Sequence, residues 1–240
     1  MKTKQCVVLA GGLGSRLGKL TKNTPKPLLK INNLPFIFFL ILKLKNEGIK
    51  KILILVWSKS NKFYNIKFNK IFNLDIKIIK EKKKLGTGGC IVNCCKHLDN
   101  NFFLLNGDTI FDISLKDLEN NFIKKKVNLI TACHYTKKNR NKFGYFFNKK
   151  NILVDYKLSK EKKSWVSGGT YIIKKKIFKT FKIKNIDLDS VIVREQFKKR
   201  KIAAKKYYNS FIDIGTKSDF KKAKNIIKKI TNKNNYELKV

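Results

Sequence analysis

The chain has 240 residues, 42% of them hydrophobic, enough for one large α/β domain with a substantial core and too apolar for a disordered tail. No apolar run reaches the roughly 18–20 residues that span a bilayer, and residues 1–6 carry no signal-peptide core, so a soluble cytoplasmic protein is expected. Its formal net charge is +40, but all except four of its 56 basic residues are lysines scattered along the chain amid abundant Asn, Ile and Phe, which reads as codon bias and not as the single basic stripe of a nucleic-acid-binding protein.

Apolar runs alternate with helical patterns through the first half. Residues 5–10 read as a buried strand. Residues 35–48 read as a helix, apolar at Phe36, Phe39, Leu40 and Leu44 and stopped by Gly48. Residues 51–57 (KILILVW) give a second buried strand, and 61–72 a helix with Phe63, Ile66 or Lys67, and Ile71 along one face. A third strand is expected at 75–79, a helix from about Thr87 to His97, and a fourth strand at 101–105 that ends in Asn106-Gly107-Asp108. This alternation predicts right-handed crossovers and a Rossmann-like, doubly wound, mostly parallel (mixed) α/β sheet with helices on both faces. Ligands of such sheets sit beyond the carboxyl ends of the strands, where residues 11–14 and Asp108 both fall.

The second half is richer in strands, at 128–135, 145–148, 152–157, 165–173 and 211–214. It closes on an amphipathic helix at 218–230, apolar at Phe220, Ala223, Ile227 and Ile230. With no repeat and no linker, the chain reads as a single domain with a small β-rich portion, and its apolar strands suit a homodimer. Cys6, Cys90, Cys94, Cys95 and Cys133 form an odd set without a C-x-x-C pair, so packed thiols are expected, not a zinc site or a disulfide framework.

The first turn reads CVVLAGGLGSRLGK. A dinucleotide fingerprint needs a third small residue where Leu17 stands, and a P-loop fails at Leu13 and Leu20. What remains is a turn whose amides can approach an anion closely, with the planar fork of Arg16 just beyond it. The stretch TKNTPKPLLKI then pins Lys26 between Pro25 and Pro27, which hold the chain extended. A lysine so placed is expected to act on phosphate.

LAGGLGSRL and TPKPLL resemble the signature of the sugar-phosphate nucleotidyltransferases, the sugar-nucleotide pyrophosphorylases. EKKKLGTGGCI, FFLLNGDTIFD, KFGYF, VSGGTYII and FIDIGTKSDFKKA resemble further segments of that family in order, so the resemblance covers nearly the whole chain. The combination looks most like the short guanylyltransferases acting on D-glycero-D-manno-heptose 1-phosphate or mannose 1-phosphate.

The resemblance implies a glycosyltransferase-A-like fold, with residues 1–112 as a nucleotide-binding half and 113–240 as a sugar-binding half. It implies that a nucleoside triphosphate, GTP in this subgroup, and a sugar 1-phosphate give the sugar nucleotide and pyrophosphate, with Mg²⁺ as cofactor. Arg16, Lys26 and Asp108 would be catalytic, and Asp108 with Asp213 would hold the metal. Leu9, Ala10, Gly11, Gly12, Gly14, Ser15, Glu81, Gly86, Thr87 and Gly107 would complete the nucleotide site. Gly144, Ser167 and Gly168 match the sugar side, to which Glu161 and Lys162 are the nearest equivalents of a family Glu-Lys pair. Ser167 stands where the family usually has Asn. Asp112 competes with Asp213 as second carboxylate, but is expected to cap the turn before Ser114. Another base and sugar pair, such as a uridylyl- or thymidylyltransferase on hexose or MurNAc 1-phosphate, remains open. From a different class, so does a basic nucleic-acid-binding protein.

Overall fold

A computed structural model describes residues 1–57, 60–137, 143–159 and 163–233. β1 (Gln5–Leu9) is apolar and leads into the glycine turn. A short hairpin, β2 (Lys30–Ile31) and β3 (Leu34–Pro35), turns on Asn32 and Asn33, both left-handed at φ 50° and 66°, a conformation Asn tolerates. α1 (Phe36–Asn46) is buried continuously from Phe36 to Leu44, Lys43 included, whose ammonium reaches Glu47 at 3.2 Å. β4 (Lys51–Val56) follows.

The single helix expected at 61–72 is two, α2 (Asn61–Tyr64) and α3 (Phe68–Phe72), because Lys67 at φ −79°, ψ 62° leaves the helical region between them. The buried side chains are Phe63, Phe68 and Phe72, while Ile71 points outward. Phe68 and Phe72 meet Phe38 of α1 edge-on, with centroids 6.0 and 5.1 Å from it. Packing against these rings, not the 3.6-residue period, sets the inward face here.

β5 (Asp75–Lys80) and α4 (Gly86–Asn93) come next, and a 3-10 turn at Cys95–His97 ends the expected helix. β6 (Asn101–Asn106) and β7 (Thr109–Phe111) flank the Gly107-Asp108 turn. α5 (Leu115–Lys125) is not among the expected elements; it is capped by Ser114, whose hydroxyl accepts from the Asp117 amide at 3.3 Å. β8 (Leu129–Thr136), β9 (Phe143–Phe147), β10 (Leu153–Leu158) and β11 (Ser164–Lys174) lie where strands were expected. A π-helical turn at Leu188–Val193 runs into α6 (Arg194–Lys198). Then come β12 (Ile202–Tyr207), β13 (Phe211–Asp213) and α7 (Lys217–Lys233), which buries Ala223, Ile227 and Ile230.

Contacts divide the chain into two compact units. The first comprises Lys2–Lys83, Leu105–Asp112 and the described chain from Ser210. In it β1, β4 and β5 run parallel, Val7 facing Leu53 and Leu53 facing Lys77, as the alternation of strand and helix requires. β7 and β13 pair antiparallel, with Thr109 opposite Asp213.

The second unit comprises Lys84–Leu104 and Ile113–Asn209. β11 is antiparallel to both β8 and β9, β9 is antiparallel to β10, and β12 joins β8 in parallel. The β11–β8 register breaks between Ser167 and Thr170. The result is the expected α/β architecture with a mixed sheet. No helix among the described residues is long and apolar enough to cross a membrane. None of the five cysteines forms a disulfide, and burial pushes the Cys6 and Cys133 thiols well above their ordinary pKa.

Candidate active site

The glycine turn begins where β1 ends: the Ala10 amide donates to Leu55 O at 2.8 Å. Its glycines serve different needs. Gly14 has φ +67°, and a Cβ there would lie 2.8 Å from Thr21 Cγ2, while Thr21 Oγ1 donates to Gly14 O at 2.9 Å. Gly14 is therefore required by the local fold. At Gly12 a Cβ would meet nothing within 4 Å, so that peptide faces open space, where a ligand can approach. Gly11 backs onto Trp57 and the buried Glu81, whose Oε1 would lie 3.1 Å from a Cβ at Gly11. Leu9, Ala10 and Ser15 lie along the same turn.

Lys26 opens a short 3-10 turn at Lys26–Leu28, entered from Pro25 at ψ 140°. Among the described residues only two lysines are buried, Lys26 at 5% exposure and Lys43. The Lys26 ammonium donates to Asp108 Oδ2 at 2.5 Å and to Asp213 Oδ1 at 3.3 Å. Backbone geometry fixes both carboxylates. The Gly107 amide bonds Leu9 O at 2.8 Å, and a Cβ on Gly107 would come within 2.8 Å of that same oxygen, so only glycine turns β6 towards Asp108 this tightly. Asp213 ends β13 opposite Thr109, and the Ile214 amide donates to Asp108 O at 3.1 Å.

Arg16 joins the cluster at its exposed side. A Cβ on Gly215 would lie 2.9 Å from Asp213 Oδ1 and 3.1 Å from Arg16 Nη2, so Gly215 leaves room for both groups at one spot. Arg16, Lys26, Asp108 and Asp213 thus converge from four separate stretches of sequence, as two cations and two carboxylates. Such a set binds phosphate through the cations and a hard cation through the oxygens.

Gly86 and Thr87 sit at the start of α4, in the second unit, and have local partners of their own. Thr87 Oγ1 donates to Asp187 Oδ2 at 3.1 Å and accepts from the Leu188 amide at 2.8 Å. The Gly88 and Gly89 amides both donate to Ile186 O, at 2.8 and 3.2 Å. A Cβ at Gly86 or Gly89 would press into the backbone of residues 184–186, to 2.6 and 2.1 Å. The glycine-rich stretch is therefore also a clasp that lets α4 pack on residues 184–188.

On the remaining expected positions, Gly144 lies in β9 opposite Val166 and Lys157, where a Cβ would crowd the Phe146 ring. Ser167 and Gly168 lie at the break in the β11 register. Glu161 and Lys162 fall outside the described residues. Sequence reasoning gave no site role to Tyr156, Tyr171 and Asp189, which form a hydrogen-bonded chain in the second unit that reaches Ser167 through Tyr171. Tyr171 carried a signal, since it stands in the VSGGTYII stretch; Asp189 carried none. Burial first, and the Asp189 charge second, push the Tyr156 and Tyr171 hydroxyls far above the usual tyrosine pKa, so both are neutral donors.

A family model described as nucleotidyl transferase matches residues 5–230. A D-glycero-alpha-D-manno-heptose 1-phosphate guanylyltransferase of Campylobacter jejuni is 33% identical over 221 residues, covering 90% of this chain and 96% of that protein. A protein of the same description from Aneurinibacillus thermoaerophilus is 27% identical, covering 91% and 96%. The crystal structure of HddC from Yersinia pseudotuberculosis superposes with a TM-score of 0.79 at 25% identity, covering 93% of this chain and 99% of that one.

Proposed function

This chain belongs to the nucleotidyl transferase family, and on that footing we propose that it is a guanylyltransferase joining GTP to a heptose 1-phosphate, with release of pyrophosphate. Two curated relatives, each matched over nine-tenths of this chain and nearly all of their own length, are heptose 1-phosphate guanylyltransferases. The single structural observation that carries the reading is the buried Lys26 ammonium held between Asp108 and Asp213.

The reaction needs no general base, because the attacking sugar-phosphate oxygen is already anionic. It needs the acceptor held in line with the α-phosphorus and the growing negative charge offset. Lys26 spends two of its three N–H donors on the carboxylates, leaving the third for a phosphate oxygen. Arg16 offers its fork to the phosphates that depart, and the open Gly12 peptide lets the triphosphate approach the turn. Glu81, buried beside Gly11, suits the base side of the same turn.

The donor set also fits Mg²⁺. Two carboxylate oxygens converge on one cation already, and among the described residues no third acidic, His or Cys ligand joins them. Mg²⁺ asks for no more than one or two carboxylates beside phosphates and water. Asp108 and Asp213 would hold it, and when bound it would neutralise phosphate charge. A panel of nucleoside triphosphates and sugar 1-phosphates with Mg²⁺, read by pyrophosphate release and by the product formed, tests the proposal. GTP with heptose 1-phosphate is expected to be the fastest pair. A different fastest pair overturns the assignment of base or sugar, and no release from any pair overturns the enzyme reading.

A further inference from the structure

A chain of hydroxyl groups in the second unit ends on a single carboxylate. Ser167 Oγ donates to Tyr171 OH at 2.7 Å, accepts from the Gly169 amide at 3.0 Å and lies 3.2 Å from Thr131 Oγ1. Tyr171 OH and Tyr156 OH each donate to Asp189 Oδ1 at 3.3 Å, and Tyr156 OH also reaches Asp189 O at 3.0 Å. A hydroxyl has one donor and two acceptor sites, so three neighbours fill that of Ser167. Its side chain is turned inward and committed.

What the chain holds is a kink. Ser167 faces Cys133 and Thr170 faces Ala132, so Gly168 and Gly169 are extra residues in β11, Gly169 at φ +68°. Bulges of this sort re-aim a strand locally. Asp189 is itself fixed from behind. It lies in the π-helical turn Leu188–Val193, where Asp187 Oδ1 accepts from the Ser190 amide and hydroxyl at 2.8 and 2.7 Å. The Leu188 amide is bonded to Thr87, and Ile186 O takes the Gly88 and Gly89 amides. Asp189 is half-buried and takes two tyrosine hydroxyls directly, with Ser167 joined through Tyr171. A partly desolvated carboxylate costs more than apolar packing of equal volume, so stability alone gives little reason for it.

We infer that Asp189 and Tyr171 are positioning residues for the acceptor: acting through Ser167, they set the Gly168–Gly169 bulge that meets the sugar 1-phosphate. The acceptor half of this rests on the guanylyltransferase reading; the bulge-setting half does not.

Tyr171→Phe and Asp189→Asn, made in the full chain and checked for folding by thermal melting, separate the two halves. Loss of one buried hydrogen bond is expected to raise KM for heptose 1-phosphate about tenfold, with KM for GTP within about twofold of wild type. Ser167→Thr, which keeps the hydroxyl, is expected to stay near wild type where Ser167→Ala does not. Amide hydrogen exchange at Gly169 is expected to quicken in Tyr171→Phe and Asp189→Asn while β8 stays protected. An unchanged acceptor KM, or an equal rise for both substrates, overturns the acceptor role. Unchanged exchange at Gly169 overturns the positioning role. If the wild type turns over no pair at all, the enzyme reading and the acceptor half fall together, and the exchange measurement alone decides whether these residues hold the bulge.

Discussion

Among the described residues every lysine but Lys26 and Lys43 is at least partly exposed, yet Lys26 is 5% exposed and donates to two carboxylates whose side chains are 32% and 28% exposed. Removing its ammonium leaves Asp108 and Asp213 facing each other in a half-dry site. Because that site is partly open, Lys26→Met is expected to cost only about 1–2 kcal/mol, a fall in Tm of roughly 2–8 °C for a chain this size. Turnover is expected to fall at least about a hundredfold, because a charge aimed at the transition state is lost. Thermal melting and pyrophosphate release check the two parts, and wild-type turnover in Lys26→Met would remove Lys26 from the chemistry. This residue was legible because prolines on either side are a local signal.

At the scale of elements, glycines that look alike in sequence do opposite things. A Cβ at Gly89 would lie 2.1 Å from Lys184 O, whereas one at Gly12 would touch nothing. Gly89→Ala is therefore expected to destabilise by about 1–3 kcal/mol through overpacking against backbone. Gly12→Ala is expected to melt within about 0.5 kcal/mol of wild type while raising KM for GTP. Calorimetry with initial-rate kinetics compares them directly, and a Gly12→Ala enzyme with unchanged KM for GTP would take that peptide out of the phosphate site.

Two of the missed elements, α5 and β12, meet at Asp117. Burial opposes ionisation of this carboxyl, but hydrogen bonds from Lys205 and Tyr207, at 2.5 and 2.6 Å, and the Lys205 charge outweigh it and hold its pKa below the usual value. A folded-state pKa that is lowered gives stability present above the unfolded value, about 3.9 for Asp, and lost as pH falls through the folded one. Wild-type Tm should therefore drop more steeply below about pH 4 than that of Asp117→Asn. Parallel melting curves from pH 7 to pH 3 decide it; identical slopes would deny the link any acid sensitivity. α5 escaped the sequence reading because its apolar stripe, Leu115, Leu118 and Phe122, is narrow amid Lys and Asn. β12, IAAKKY, has weak strand formers and exists by pairing with β8.

For the whole molecule, 56 basic against 16 acidic residues means strong self-repulsion at low salt. Raising NaCl from about 20 to about 300 mM shortens the Debye length to a few ångströms and is expected to raise Tm. Over the same range any retention on nucleic acid should vanish, as counterion release requires; retention that survives would revive the nucleic-acid reading.

The parallel alternation of β1, β4 and β5, the glycine turn, and the choice of Lys26 and Asp108 as candidates were readable from local sequence, whereas Asp213 was singled out only by the resemblance of FIDIGT to a family motif. The former are each written in a short run whose hydrophobic period, prolines or glycines act locally. Which of these residues meet is set by the fold. Lys26 and Asp213 stand 187 residues apart and are joined by the register of β7 with β13. Asp189 is linked to Ser167 through Tyr171. Strand register and buried hydrogen bonds link distant parts of the chain, and no local pattern encodes which distant partner a polar group will find.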